Sequence, residues 1–228
     1  MLVEWTRRVD ALTQLRVTDP ATPILEKETE HHLRKVLRAQ VGEEIVVSNG
    51  AGSWSFATVL DSGLKRVSEV HLDPEPADTA LYLAPLKGDR SEWVVAKATE
   101  LGVSALVPLI SERLAVKFKG EAQEKILDRW RRISDEATGQ CRRTYDLVIG
   151  KPVTPEQVPA TVAVADFGGT SQMAGVRAIA IGPEGGWAPN EWGSDRQIIS
   201  LGNTVLRGET AAIASAALMT LGAQGMTL

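Results

Sequence analysis

Apolar and polar residues alternate in the first third of the chain, which is typical of strands with one buried face. Two such segments, residues 45–48 and 53–59, flank Asn49-Gly50, a dipeptide that favours the tight turn of a β-hairpin. Residues 67–72 alternate again and predict a third strand. Residues 29–37 instead place apolar side chains three and four positions apart, which predicts one helix beside this small sheet.

A second architecture begins at Thr79, after a polar, proline-rich link at residues 73–78. Two helical stripes follow, one over residues 94–101 with Gly102 as its C-terminal cap and one over residues 126–137. Short apolar runs typical of buried strands alternate with them: 81–86, 105–110, 161–167, 177–181 and 197–201. This alternation predicts a largely parallel sheet covered by helices.

The last stretch of the chain, residues 210–228, is 19 residues long and carries no charge. That length would permit a membrane span. However, Ala, Thr and Gly dominate it, so we predict a buried helix that packs through small residues. The N-terminus shows no apolar run of the signal-peptide type, and Cys141 is the only cysteine, which excludes an internal disulfide. A cytoplasmic location is therefore the simplest expectation.

The chain of 228 residues has a formal net charge of −4, which by itself argues against a nucleic-acid partner. Residues 113–143 depart from this average, because nine basic and five acidic residues make the segment +4. Lys125, Arg129 and Arg132 form a basic stripe beside the apolar stripe of the predicted helix. Two interpretations stay open: a solvated helix face, or a local phosphate-binding surface on an acidic protein.

Several motifs of well-understood chemistry are missing from the sequence. There is no G-x-G-x-x-G after a strand, no phosphate-binding G-x-x-x-x-G-K-[ST], no H-E-x-x-H and no G-x-S-x-G. The three histidines are His31, His32 and His71. His31 and His32 are adjacent on a predicted helix and point to different sides, so we expect no metal site.

Two glycine-containing loops near the C-terminus are the best candidates for a ligand site. The strand 177–181 leads into Gly182-Pro-Glu-Gly-Gly186, whose three glycines let a ligand approach the backbone closely. The strand 197–201 ends at Gly202 and is followed by Leu206-Arg-Gly-Glu-Thr-Ala211. Open α/β sheets bind ligands outside the carboxyl ends of their strands, so we predict a site there. The alternative is a purely structural turn with an ion pair at the helix entry.

Five motifs together resemble the RsmE family, ribosomal RNA small-subunit methyltransferases that methylate N3 of a uridine in 16S rRNA. In the family's order they are His31–Arg38, Lys97–Val103, Gln140–Arg143, Gly182–Gly186 and Leu206–Ala211. The resemblance implies a PUA-like β-barrel over residues 1–73, which binds RNA. It also implies a SPOUT methyltransferase domain over residues 79–228, an α/β fold with a trefoil knot. A homodimer and S-adenosylmethionine as cofactor are further implications.

The resemblance also implies roles for individual residues. Arg143, Arg207 and Glu209 are the candidate catalytic residues, the arginines stabilising charge on the uracil oxygens and Glu209, or Glu184, taking the imide proton. Glu209 as a mere anchor of its loop stays open. The residues expected to line the cofactor pocket are Ile181, Gly182, Pro183, Glu184, Gly185, Gly186, Leu201, Gly202, Leu206 and Arg207. Those expected to bind RNA are His32, Arg34, Arg38, Arg113, Arg129, Arg132, Arg142 and Arg143.

Two departures from the family pattern and two other functions remain. Gly139 stands where the family often has Glu, and Gly208 where it often has Thr. Another knotted methyltransferase, acting on transfer RNA, would share the Gly-Pro-Glu-Gly loop. A non-catalytic RNA-binding or ribosome-assembly protein would use the basic segment alone. The N-terminal domain and its histidine-containing helix favour the uridine-N3 enzyme.

Overall fold

The computed structural model describes residues 2–225, with side chains from residue 4, so residues 226–228 of the predicted closing helix lie outside the described residues. The chain divides into two compact units. One comprises the residues up to Glu75 together with Thr138–Asp146, and the other comprises Pro76–Ala137 and the residues from Leu147 onward. The units part inside the predicted link. The segment 138–146, which the sequence predicts in the second domain, belongs to the first unit instead.

The first unit contains one mixed sheet and two helices. Its elements are α1 (Leu2–Asp10), β1 (Gln14–Arg16), α2 (Lys27–His31) continued by a π-helical turn (His32–Val36), β2 (Glu44–Ser48), β3 (Ser53–Val59), β4 (Leu64–Arg66) and β5 (His71–Leu72). The strand order is β1-β2-β3-β4, and β5 also pairs with β3. Only β1 and β2 are parallel. Leu33 and Ile45 are fully buried in the apolar core of this unit.

The predicted hairpin is present, and residues 49–52 connect its two strands, as the predicted strand bounds imply. Ser48 pairs with Trp54, and the Asn49 side-chain oxygen accepts hydrogen bonds from the amides of Ala51 (2.9 Å) and Ser53 (3.1 Å). An asparagine that bonds to the backbone two residues ahead is a common turn-forming device. The Asn-Gly dipeptide therefore predicted the position of the turn correctly.

The single strand predicted over residues 67–72 is wrong. Two short strands, β4 and β5, pair with opposite halves of β3. They are separate because the Phe56 amide donates to the hydroxyl of Ser68 (2.9 Å), so a side chain takes the place of a strand carbonyl. This kind of local competition between side chain and backbone interrupts a ladder.

Residues 138–146 join the first unit through hydrogen bonds. The Thr144 hydroxyl donates to the Asp73 carboxylate (2.7 Å), and the Tyr145 hydroxyl donates to the Asp73 peptide oxygen (3.0 Å). Tyr145 also forms an antiparallel bridge with Ala51. Such long-range contacts leave no periodic pattern in the sequence, which is why the chain's return to the first unit is not predicted.

The second unit is an α/β structure with a six-stranded, entirely parallel sheet. Its elements are β6 (Ala80–Leu83), α3 (Arg90–Glu100), β7 (Ala105–Pro108), α4 (Gly120–Gln140), β8 (Val148–Ile149), a 3-10 turn (Pro155–Gln157), β9 (Ala163–Thr170), β10 (Ala178–Ile181), β11 (Ile198–Ile199) and α5 (Gly208–Ala223). The strand order is β11-β9-β10-β6-β7-β8. The predicted parallel sheet and its helices are confirmed. The last residues of α4 belong to the first unit.

Both faces of this sheet are buried. Leu81 and Ile179 belong to the main core, which includes the buried side chains of α3 and α5, whereas Ala180 belongs to a second cluster. Alternate residues of a strand point to opposite faces, so the continuous apolar runs follow from burial on both sides. The closing helix α5 is buried through Ala212 and Ala216, as its small residues predict. Within residues 2–225 no helix is long and apolar enough to cross a membrane.

Candidate active site

The candidate site lies where three parallel strands end. Because β6, β10 and β11 run in the same direction, their carboxyl ends meet at one edge of the sheet. The loop after β10 (residues 182–187), the loop after β11 (residues 200–207) and the first residue of α3 line a pocket of about 460 Å³ there. This volume is within the range of about 300–1,000 Å³ that small-molecule sites occupy.

The residues predicted to line a cofactor pocket all line this one. They are Ile181, Gly182, Pro183, Glu184, Gly185, Gly186, Leu201, Gly202, Leu206 and Arg207. The pocket also uses residues that the sequence does not single out, among them Arg90, Trp187 and the segment 165–167. Arg90 could have been found, since it follows the end of β6 and so lies at the same sheet edge. Residues 165–167 carry no such signal, because β9 continues past them.

The glycine loop 182–187 packs too closely for side chains at some positions. A Cβ atom on Gly182 would lie 3.0 Å from the Trp187 ring, and Gly186 has a φ of +67°, which favours glycine. The Trp187 ring is fixed in turn, because its Nε1 donates to the peptide oxygen of Ala165 (3.0 Å). The loop is therefore rigidly held, with its backbone exposed to the pocket.

Arg113 supports the same loop from outside. Its Nη1 donates to the peptide oxygens of Trp187 (3.0 Å) and Gly185 (3.4 Å). The guanidinium therefore has a structural function in the second unit, although the sequence predicts an RNA-binding residue. This contact joins the loop after β7 to the loop after β10.

The carboxylates of Glu184 and Glu209 and the guanidinium of Arg90 lie close together at the pocket. Glu184 Oε1 accepts hydrogen bonds from the Lys87 amide (2.8 Å) and from Arg90 Nη1 (3.4 Å). Arg90 Nε lies 3.8 Å from Glu209 Oε1. Glu209 Oε2 is buried without a hydrogen-bond partner among the described residues. Glu184 lines the pocket, whereas Glu209 does not line it.

The two predicted catalytic arginines lie in different units. Arg207 is exposed, lines the pocket and precedes the first residue of α5; among residues 4–225 it has no ion pair. Arg143 belongs to the first unit, where its peptide oxygen accepts a hydrogen bond from the Gln14 side chain. Burial lowers the pKa of the Arg143 guanidinium, although the charges of Cys141 and Asp146 oppose this. The pocket therefore brings Arg207 together with Glu184 and does not include Arg143.

The predicted RNA-binding residues are also divided between the units. In the first unit, His32 and Arg38 are exposed, whereas the Arg142 guanidinium donates to three peptide oxygens and so has a structural function. In the second unit, Arg129 pairs with Glu92 (2.6 Å). The other members are the half-buried Arg34, which donates to the Leu60 peptide oxygen, and the exposed Arg132.

No metal site accompanies the pocket within the part of the chain that the structure describes. Those residues contain no group of three or more His, Cys, Asp or Glu side chains that could hold a metal ion. The arrangement is therefore a pocket with exposed backbone groups, one exposed arginine and one carboxylate held by a second arginine. Such a set can bind a small molecule and can accept a proton or stabilise negative charge.

Two family models match the chain, one over each part. The model described as an RNA methyltransferase domain matches residues 73–220, and the model described as an RNA methyltransferase PUA domain matches residues 25–68. The first match contains all the residues that line the pocket.

Individual proteins agree with these matches. The chain is 33% identical over 218 residues to ribosomal RNA small subunit methyltransferase E of Synechocystis, covering 84% of this chain and 70% of that protein. It is 28% identical to the enzyme of the same name from Mycobacterium bovis, and that match covers 84% of this chain and 83% of that protein.

Two solved structures are similar to this chain. A methyltransferase from Legionella pneumophila with bound SAM has a TM-score of 0.81 and 28% identity, covering 90% of this chain and 96% of that one. The second structure is ribosomal RNA small subunit methyltransferase E of Neisseria gonorrhoeae, bound to S-adenosyl methionine. It has a TM-score of 0.74 and 26% sequence identity, and the match covers 92% of this chain and 97% of that one.

Proposed function

This chain belongs to the ribosomal RNA small subunit methyltransferase E family, and from that premise we propose that it transfers a methyl group from S-adenosylmethionine to N3 of one uridine in small-subunit ribosomal RNA. The expected fold class is confirmed: a PUA-like domain precedes a SPOUT methyltransferase domain. The observation that carries the proposal is that the two glycine-containing loops line one and the same pocket.

The pocket fits S-adenosylmethionine. The apolar side chains of Ile181, Leu201 and Leu206 offer a surface for the adenine ring, and the Glu184 carboxylate offers a counter-charge to a cationic ligand. The amides of residues 202–206 make no hydrogen bond to any described residue, so they are free to bind polar ligand atoms. Gly202 has a φ of +128°, a conformation that a residue with a side chain rarely adopts. When bound, the cofactor supplies a methyl group on a positively charged sulfur.

The chain's own side chains then prepare the acceptor. Uracil N3 carries a proton that must leave before, or as, the nitrogen is methylated. Glu184 lines the pocket and keeps one carboxylate oxygen outside its bonds to Lys87 and Arg90, so we assign it as the base. Arg207 also lines the pocket, and we assign it the stabilisation of the negative charge that develops on the uracil oxygens. Positioning of donor and acceptor in one pocket supplies a further part of the rate.

Glu209 acts on this site through Arg90. Its carboxylate does not line the pocket and lies 3.8 Å from the guanidinium that also contacts Glu184. Of the two roles open to Glu209, base or anchor, this position supports the anchor. Arg143 stays a candidate for holding RNA, since it belongs to the unit that carries the PUA-like domain.

Arg113 gives a test of how the glycine loop is held. The variant Arg113→Ala removes two charge-assisted hydrogen bonds to loop carbonyls, so we expect S-adenosylmethionine to bind about tenfold more weakly in titration calorimetry. The matched control is Arg131→Ala, which removes an exposed arginine whose ion pair within the described part of the chain is with Asp128, one turn away. Equal affinities in the two variants would show that Arg113 does not support the loop.

Further expectations concern the assembly and its RNA. We propose a homodimer, a trefoil knot formed by the pocket loops and α5, and a cytoplasmic location, all in keeping with the family resemblance. RNA would contact the exposed basic residues His32, Arg38 and Arg132. The substrate is either free ribosomal RNA or the assembled small subunit, and methyl-transfer assays on each form distinguish the two.

The proposal is tested by binding and transfer measured on the same preparation. Calorimetry with S-adenosylmethionine should show a single site per chain, and radiolabelled methyl should reach small subunits prepared from cells that lack this gene. A chain that binds RNA but gives no heat with S-adenosylmethionine would be a binding or assembly protein. Transfer to transfer RNA in preference to small subunits would instead identify a different RNA methyltransferase.

A further inference from the structure

The strand β9 departs from the sheet at the edge of the pocket. Two successive residues of β11, Ile198 and Ile199, pair with Val164 and Thr170 of β9, so residues 165–169 bulge out between them. Bulges of this type often redirect a side chain next to an active site. The first three residues of the 165–169 bulge line the pocket.

The 165–169 bulge is anchored at both ends. At its start, the Ala165 peptide oxygen accepts the hydrogen bond from Trp187 Nε1 (3.0 Å), and beyond its end the Ser200 amide donates to Thr170 (2.8 Å). Gly169 is required for the close approach to β11, because a Cβ atom there would lie 2.4 Å from the Ile198 peptide oxygen. The bulge is thus a built feature of the pocket rim.

Phe167 occupies the middle of this bulge. Its side chain is 65% exposed although the residue lines the pocket, and its ring has no aromatic neighbour among the described residues. The inner pocket residues Ile181 and Leu201 are buried or half-buried by comparison. An anchored bulge therefore presents an unstacked phenyl ring at the mouth of the pocket, where it adds little to the core.

We propose that Phe167 stacks on the pyrimidine ring of the acceptor uridine as that base enters the pocket. The inference rests on the proposed function, which puts the methyl donor in the inner pocket and leaves the mouth as the path for the acceptor. Proteins bind unpaired RNA bases by stacking them on exposed aromatic rings. Such stacking also offsets the cost of taking a base out of its neighbours' stack.

The test compares three substitutions that separate the ring from its bulk. Phe167→Tyr keeps an aromatic ring, Phe167→Leu keeps an apolar side chain and Phe167→Ala removes both. With small subunits lacking the methyl group as substrate and S-adenosylmethionine saturating, we expect Phe167→Ala to lower kcat/KM for the RNA about tenfold to a hundredfold. Phe167→Leu should resemble Phe167→Ala, and Phe167→Tyr should stay within about twofold of the wild type.

Two further measurements on the same variants test whether the Phe167 ring instead contacts the cofactor or a second copy of the chain. We expect unchanged affinity for S-adenosylmethionine in calorimetry and unchanged sedimentation. The matched control is Trp93→Ala, which removes an exposed aromatic side chain of α3 that does not line the pocket. Its kcat/KM should equal that of the wild type.

Several results would overturn this role for Phe167. Weaker binding of S-adenosylmethionine by Phe167→Ala would show that the ring serves the adenine, and altered sedimentation would show that a second chain covers it. Wild-type activity of Phe167→Leu or Phe167→Ala would exclude stacking altogether. A wild-type protein that transfers no methyl would overturn the proposed function and this subsite together, whereas an active wild type with an unaffected Phe167→Ala overturns the subsite alone.

Discussion

Glu184→Gln is expected to lower kcat by about a hundredfold to ten-thousandfold, the range that a general base contributes. The substitution keeps the shape of the side chain and an oxygen that accepts from the Lys87 amide and from Arg90. The glycine loop should therefore keep its structure while the group that takes the N3 proton is lost. The affinity for S-adenosylmethionine, measured by calorimetry, should fall much less than kcat.

Glu209→Gln is the comparison that makes this result interpretable. Glu209 contacts the same guanidinium but does not line the pocket, so we expect a loss of kcat of about tenfold or less. Equal losses in the two variants, or a larger loss in Glu209→Gln, would contradict the assignment of Glu184 as the base.

Asp73→Ala is expected to lower the free energy of unfolding of the first unit by about 3 kcal/mol, because it leaves a buried arginine charge unpaired. Asp73 accepts hydrogen bonds from Arg8 (2.8 Å), Thr144 (2.7 Å) and Trp54 (2.8 Å), and the Arg8 side chain is only 7% exposed. These donors come from α1, the segment 138–146 and β3. One carboxylate therefore holds three separate parts of the chain together.

The same carboxylate gives the effect a pH dependence. Burial raises the pKa of Asp73, but the hydrogen bonds from Arg8, Thr144 and Trp54 and the charge of Arg8 outweigh it, so the pKa is lowered on balance. A lowered folded-state pKa means that the stabilisation is fully present above the unfolded value of about 3.9 and is lost as the pH falls through the folded value.

Urea unfolding followed by circular dichroism at pH 7 and at acidic pH checks both statements. The difference between wild type and Asp73→Ala should shrink as the pH falls below about 4. The matched control is Asp128→Ala, which removes an exposed carboxylate whose ion-pair partner among residues 4–225 is Arg131 on the same helix. The free energy of unfolding of that variant should stay within about 0.5 kcal/mol of the wild-type value at both pH values. A pH-independent difference for Asp73→Ala would show that lost packing, not charge, causes the destabilisation.

The features that sequence predicts well here are local ones. The two glycine-containing loops could be assigned to one pocket because strands that run in parallel end at the same edge, and each loop directly follows such a strand. The buried helix α5 follows in the same way from its composition. In both cases neighbouring residues alone contain the physical cause.

The features that sequence does not predict depend on distant contacts. Phe167 is brought to the pocket by a change of register between β9 and β11, and Arg142 is drawn into the first unit by peptide oxygens far away in the chain. Val36 belongs to the predicted apolar stripe, yet it is exposed because the helix continues as a π-helical turn. Helix α1 carries Trp5 and Val9 at helical spacing, yet both are exposed, and Arg8 is the one buried side chain among residues 4–10.

If this chain methylates N3 of a uridine in small-subunit ribosomal RNA, the product nucleoside is N3-methyluridine. Small subunits from cells lacking the gene are incubated with the protein and S-adenosylmethionine, and the RNA is digested to nucleosides and compared with standards by mass spectrometry. We expect one new N3-methyluridine per particle, and at least about a hundredfold slower formation of it with Glu184→Gln. Methylation at the ribose or at another base position, or no new methyl group, would contradict the proposed function.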